Sequence, residues 1–333
     1  MAYFPALDGL RAVAILFVLA VHGSYGHVPG GVIGVDIFFV LSGFLITRVL
    51  LQPAATLKNF YIRRALRLLP ALACGLALAF ALWHRTNPDI SFWRAALPAA
   101  FYFADFQAMV NPGSLGTLSP TWSLAIEEQF YFVWPLVILF FATKPRRMTS
   151  SSIFLFAIGF TLLRPLLYFA WRSSVGYYSP LTRIDVLLVG CGLALSVDPP
   201  RWRIGAWVFA ASLPFLALRL RQDSPIYLIV AIPFISWGTA SVIAECLTAQ
   251  SSLMKRILSL RPLVWIGQRS YGIYLYHLPI FAALEPLRRR NDVKNLVLVT
   301  GLRIALAMVF AALSYQFLER PILAKRTAPR RLA

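Results

Sequence analysis

The chain is punctuated by apolar runs about as long as a bilayer is thick. Segments such as "AVAILFVLAV", "ALACGLALAFALW", "FVWPLVILFFA" and "YLIVAIPFISWGTASVIA" recur along its 333 residues. A helix needs ~20 largely apolar residues to cross the hydrocarbon core. Inside lipid, every backbone amide must also be satisfied within the segment itself. Repetition of such runs leaves one fold class, an all-α polytopic transmembrane helical bundle. About ten spans are expected, at 8–27, 34–51, 69–84, 121–142, 153–171, 181–197, 204–219, 226–246, 263–284 and 296–318. Composition agrees: 59% of residues are hydrophobic and 14% charged, where a soluble domain has roughly a quarter charged.

The net charge of +19 invites a nucleic-acid reading, but the Lys and Arg gather in short loops between apolar runs. That pattern orients membrane proteins, and no nucleic-acid motif accompanies it. With both termini cytoplasmic, the inner segments 48–67, 144–147, 201–203, 255–261 and the C-terminal tail hold about twice the cations of the outer ones. Residues 95–110, "AALPAAFYFADFQAMV", carry Pro98, Asp105 and Gln107. They are expected to be re-entrant, which is tolerated where backbone lines a cavity. No cleavable signal peptide is expected. Cys74, Cys191 and Cys246 are too few and scattered for a disulfide framework or a metal site, so no metal is expected.

The acidic and basic residues inside apolar sequence carry the chemistry. In "LDGLRAVAILFVLAVHG", Asp8, Arg11 and His22 fall on one side of a helix, because eleven residues bring the chain back to within about 20°. His22 lies roughly 16 Å further along the axis than Arg11. A charge at mid-bilayer costs ~2.5–3.5 kcal/mol, so the stripe should face the protein interior. An interfacial Asp8–Arg11 pair with a packed His22 stays open on this stretch alone. "GVDIFFVLSGFLI" places Asp36 near one end of its span and Ser42 beside Gly43, where the glycine can serve a packing seam. "FYIRRALRLLP", if helical, groups Arg63, Arg64 and Arg67, and guanidiniums suit phosphates; plain topology signalling is the alternative. In "TWSLAIEEQFYFVWPL", Ser123, Glu127 and Tyr131 share a face, and Glu127 and Glu128 need a cavity, a partner or a proton. Arg183 and Asp185 are a candidate mutual pair, and His277 sits in the aromatic run "SYGIYLYHLPIF". "HRTNPD", His84 to Asp89, has a His-x4-Asp spacing without a following phosphate motif and is set aside.

Taken in order, "LDGLRAVAILFVLAVH", "GVDIFFVLSGFLI", "FYIRRALRLLP", "TWSLAIEEQFYFVWPL", "RIDVLLVGCGLA", "SYGIYLYHLPIF" and "SYQFLERPIL" resemble the acyltransferase-3 family of integral membrane O-acyltransferases. The resemblance spans residues 6–323 of one domain over 1–333, followed by a basic tail at 324–333. It implies acyl-CoA, most commonly acetyl-CoA, as co-substrate with no permanently bound cofactor. It also implies a sugar, glycan or glycolipid hydroxyl as acceptor and a bacterial inner-membrane location. The family's Arg-x10-His falls on Arg11 and His22, its Arg-x-x-Arg on Arg64 and Arg67, and its motif glutamate on Glu127.

On that resemblance, His22 is expected as general base, with Asp8 and Arg11 ordering the inner cavity. Arg63, Arg64 and Arg67 are expected to hold the CoA phosphates. Glu127 would orient His22 or bind sugar hydroxyls. Asp36, Ser42, Trp122, Ser123, Tyr131 and His277 are expected around the substrates. A polytopic transporter or flippase for a glycan or lipid intermediate is the alternative; it predicts inverted repeats, and the motifs instead crowd into residues 6–136. Oligomeric state and the acceptor's identity are not legible.

Overall fold

A computed structural model describes residues 3–53, 55–142, 148–171, 173–196, 202–248, 252–288 and 292–322. The basic stretch 144–147 and the tail 324–333 lie outside the described residues. The described chain is helical without strands. Its helices are α1 (Pro5–Gly23), α2 (Ile33–Leu50), α3 (Leu57–Thr86), α4 (Phe92–Ala100), α5 (Ala104–Val110), α6 (Thr121–Ala142), α7 (Ser150–Ala170), α8 (Ser173–Tyr178), α9 (Ile184–Leu195), α10 (Arg203–Arg219), α11 (Ile232–Thr248), α12 (Leu253–Leu258), α13 (Arg261–Gln268), α14 (Ser270–Ala283) and α15 (Val293–Ser314).

Among the described residues, seven helices are long and apolar enough to cross a membrane, and the protein is a multi-pass membrane protein. All ten expected segments fall on helix, but α9, α10 and α14 are shorter, with 12, 17 and 14 residues. The reason for α9 is its position. Ten residues running from Asp185 to Ala194 are all buried, so it meets protein, not lipid. Residues 95–110 do not form one span. They make two helices of nine and seven residues, each well short of the ~20 a crossing needs. Tyr102, with a left-handed φ of 59°, turns the chain between them. Gln129 of α6 then pins the break, donating to the Tyr102 carbonyl and to Asp105 Oδ1, both at 2.9 Å.

Two close approaches set the core around α2. A Cβ at Gly43 would lie 2.0 Å from the Leu187 carbonyl oxygen, and one at Gly190 would lie 2.0 Å from that of Val40. Helices pack this closely only through small residues, so the "SGF" seam of α2 is its contact with α9. Gly43→Ala is expected to destabilise the protein by about 1–3 kcal/mol, the cost of forcing atoms into a filled contact. Gly301→Ala, where a Cβ meets nothing within 4 Å, should leave the midpoint of thermal unfolding in detergent unchanged. Equal midpoints for the two variants would contradict the contact.

α3 begins at Leu57, twelve residues before the expected span. Thr56 caps it by accepting from the Asn59 amide at 3.3 Å. The early start carries Arg63, Arg64 and Arg67 into the bundle as helical residues.

Candidate active site

α1, α2, α3, α6 and α14 enclose a cavity of about 310 Å³. Arg11, Ser42, Arg64, Glu127, Tyr131 and Tyr274 are among its walls. The shared face expected on α6 is there, since Ser123, Glu127 and Tyr131 all line it. A second cavity of about 540 Å³ adjoins it, walled by Asp8, Asn59, Gln268 and Glu319 among others. Arg11, Arg63, Arg67 and Tyr271 line both, so three cations stand at the junction.

Their partners separate the arginines into two kinds. Arg64 is committed: its guanidinium forks onto Glu128, with Nε 2.9 Å from Oε2, and lies 3.3 Å over the Tyr131 ring. Arg63 and Arg67 are exposed to the cavities and make no hydrogen bond or ion pair among the described residues. Arg11 has only a loose contact with Asp8, at 3.8 Å, because Asp8 is also held by the Tyr3 hydroxyl at 2.8 Å. Arg11, Arg63 and Arg67 are therefore the cations free to take an anion.

Glu127 does not reach for His22. It accepts from Ser42 Oγ at 2.9 Å, both residues lining the cavity, so of its two expected roles the orientation of His22 is corrected. The pairing follows from the helix directions: Ser42 is presented by α2 beside its glycine seam and faces α6.

His22 is placed by a different group. His277 Nδ1 is 2.7 Å from the Tyr274 carbonyl, which can only accept, so Nδ1 carries the proton and Nε2 is an acceptor. That Nε2 is 3.2 Å from His22 Nδ1, which is also 2.9 Å from the Val18 carbonyl. Two acceptors around His22 Nδ1 assign its proton there and leave His22 Nε2 with an unshared lone pair. His277 is fully buried while His22 is an exposed residue, and neither lines the two cavities. Reached by a ring-to-ring step of 5.8 Å from Tyr274 to His277 and one of 4.9 Å on to His22, the histidine pair sits just beyond the cavity's Tyr274 wall.

Three expectations need correction. Arg183 and Asp185 are not a mutual pair: Arg183 donates to Asp36 at 2.7 Å, and Asp185 pairs with Arg164 of α7. Asp36, expected to touch substrate, has no exposed surface and also accepts from the Tyr227 hydroxyl at 2.6 Å. It is a buried counter-ion because Arg183, caged by Tyr177 at 4.6 Å and Trp122 at 5.6 Å, forms an ion pair with no other carboxylate among the described residues. Trp122 is likewise scaffold, its ring edge-on to Phe39, and neither residue lines the cavity. His84 and Asp89 line neither cavity. Sequence reasoning passed over Phe38, Tyr102, Tyr271 and Tyr274, all of which line the first cavity. For Tyr271 and Tyr274 the signal was the aromatic density of "SYGIYLYH".

The fold and these cavities define a polytopic helical membrane protein with a cation-lined internal chamber. The sequence matches the family described as an acyltransferase domain over residues 4–315, and the chain belongs to that family. It is 34% identical to YrhL of Bacillus subtilis over 358 residues, covering 96% of this chain and 55% of that protein. It is 34% identical to the peptidoglycan O-acetyltransferase OatA of Listeria monocytogenes over 349 residues, covering 96% and 56%. It is 33% identical to the O-acetyltransferase OatA of Staphylococcus aureus over 349 residues, covering 96% and 57%. The chain thus spans a little over half the length of these curated relatives. No solved structure matches it.

Proposed function

We propose that this protein is an O-acyltransferase of the bacterial plasma membrane that moves an acyl group, acetyl in the first instance, from acyl-CoA to a glycan hydroxyl. The observation that carries this reading is the set of lightly held guanidiniums, Arg63 and Arg67 without a partner among the described residues and Arg11 only loosely on Asp8, lining a chamber whose Tyr274 wall backs onto a histidine pair. The names of the relatives make peptidoglycan the first acceptor to try.

In this reading both termini are cytoplasmic, and the donor enters at the end of the bundle that bears the arginines. Its phosphates engage Arg63 and Arg67, which have donors to spare, while Arg64 fixes the wall by holding Glu128 and Tyr131. The pantetheine arm lies along the first cavity, where the Ser42–Glu127 pair offers polar contact to its amides. The acceptor hydroxyl attacks the thioester carbonyl carbon as its proton passes to His22 Nε2. The C–S bond breaks, and His22 returns the proton to the departing CoA sulfur. Orientation supplies much of the rate, since a thioester is already electrophilic, and an imidazole is suited to carry the proton near neutral pH.

The test uses purified protein in liposomes with isotope-labelled acetyl-CoA and peptidoglycan fragments. Release of free CoA together with label in the glycan is the expected result. No consumption of any acyl-CoA would sink the transferase reading. In the same assay the Arg63→Ala, Arg67→Ala double variant should raise KM for acetyl-CoA by about 10- to 100-fold, from lost charge-assisted hydrogen bonds. Its kcat should change little, as for lost uniform binding. A fall in kcat with KM unmoved would remove these arginines from the donor site.

A further inference from the structure

α2 is buried almost throughout, and its few open positions form a line. Between Ile33 and Thr47 only Phe38, Ser42 and Leu45 are half-buried, and Val49, 41% exposed, follows one turn on. The spacing of four, three and four puts them on one helix face, and all four line the first cavity. The line runs from Val49, level with the arginine end, through Ser42 at its hydrogen bond to Glu127, to Phe38 at the far end.

At that far end the Phe38 ring meets Tyr274 edge to face, centroids 6.3 Å apart. The two sides of this contact differ. Tyr274 is fixed, its hydroxyl 2.7 Å from Ser123 Oγ and 3.0 Å from the Pro120 carbonyl. Phe38 has no polar tether, and its partly open side lines the cavity. Behind Tyr274 stand His277 and then His22. A group carried down the cavity therefore meets Phe38 and Tyr274 as the wall in front of the histidine pair.

We propose that Phe38 is the specificity-determining residue for the acyl group. Its ring, closed against the fixed Tyr274, sets the length of acyl chain that can bring a thioester carbonyl to His22. This rests on the transferase reading above. A short acyl group fits beside the closed ring, whereas each further methylene must displace it. In a closed hydrophobic site one methylene is worth about 10-fold or more in kcat/KM, so a single ring can separate acetyl from butyryl.

The experiment measures kcat/KM for acetyl-, propionyl-, butyryl- and hexanoyl-CoA with the glycan acceptor, using purified full-length protein in liposomes. Phe38→Ala should raise the butyryl-to-acetyl ratio by about 10-fold or more. Phe38→Trp should lower the propionyl-to-acetyl ratio below that of the wild type. Phe38→Leu, which keeps most of the packing volume, guards against a folding failure of the alanine variant and should move the ratio the same way as alanine but less. Folded variants whose ratios stay within twofold of wild type, with acetyl transfer still measurable, would overturn the assignment of Phe38 alone. A wild-type protein that consumes no acyl-CoA would overturn the transferase reading, and the assignment with it.

Discussion

His22→Ala is expected to lower acyl transfer by about 10²- to 10⁴-fold, the span associated with loss of a positioned general base, with little change in KM for acetyl-CoA. The proton inventory of the histidine pair makes His22 the base. Val18 and His277 both present acceptors to His22 Nδ1, which leaves Nε2 as the basic atom, on an exposed residue. Arg11, Arg63 and Arg67 stand elsewhere, on the walls shared by the two cavities, so donor binding should survive the substitution. His22→Gln, which keeps polarity and bulk but cannot take up a proton, should be nearly as impaired. Steady-state rates of CoA release, with protein folding followed by thermal unfolding in detergent, decide the matter. A variant that keeps its rate within tenfold of wild type would remove His22 as the base.

The second large effect is on stability. Asp36→Ala should destabilise the protein by about 3–5 kcal/mol, because it leaves a buried guanidinium with no counter-charge. Arg183 and Asp36 are both fully buried, and the Tyr227 hydroxyl loses its acceptor in the same step. Removing both charges should be far milder: the Asp36→Leu, Arg183→Met double variant is expected to recover more than half of the loss, since apolar replacement of a buried pair is often close to neutral. Unfolding midpoints of the single and double variants measure this. A substrate-binding Asp36 would give the opposite pattern, with activity lost at an unchanged midpoint and no rescue from Arg183→Met.

The sequence is most legible where the physics is local. Helical periodicity places Asp8, Arg11 and His22 on one stripe and Ser123, Glu127 and Tyr131 on one face, and apolar run length finds the membrane segments. Periodicity reports which side of a helix a residue occupies, not what stands opposite. The decisive partners are remote: Ser42 and Glu127 are 85 positions apart, Asp36 and Arg183 147, and His22 and His277 255. Arg183 and Asp185 look like partners because they are only two positions apart in sequence. Two residues at the start of α9, about half a helical turn, send them to opposite partners, Asp36 and Arg164. A buried cation in an apolar stretch does signal that a carboxylate must come from elsewhere, but only the packing says which one.

α2 keeps its two duties on separate sides. Gly43 and Val40 knit it to α9, and Asp36 bolts it to Arg183, while Phe38, Ser42, Leu45 and Val49 face the chamber. Substitutions on the second side leave the first untouched. The four chamber-facing positions of this one helix are thus open to combinatorial randomisation without sacrificing the assembly that holds the helix in place.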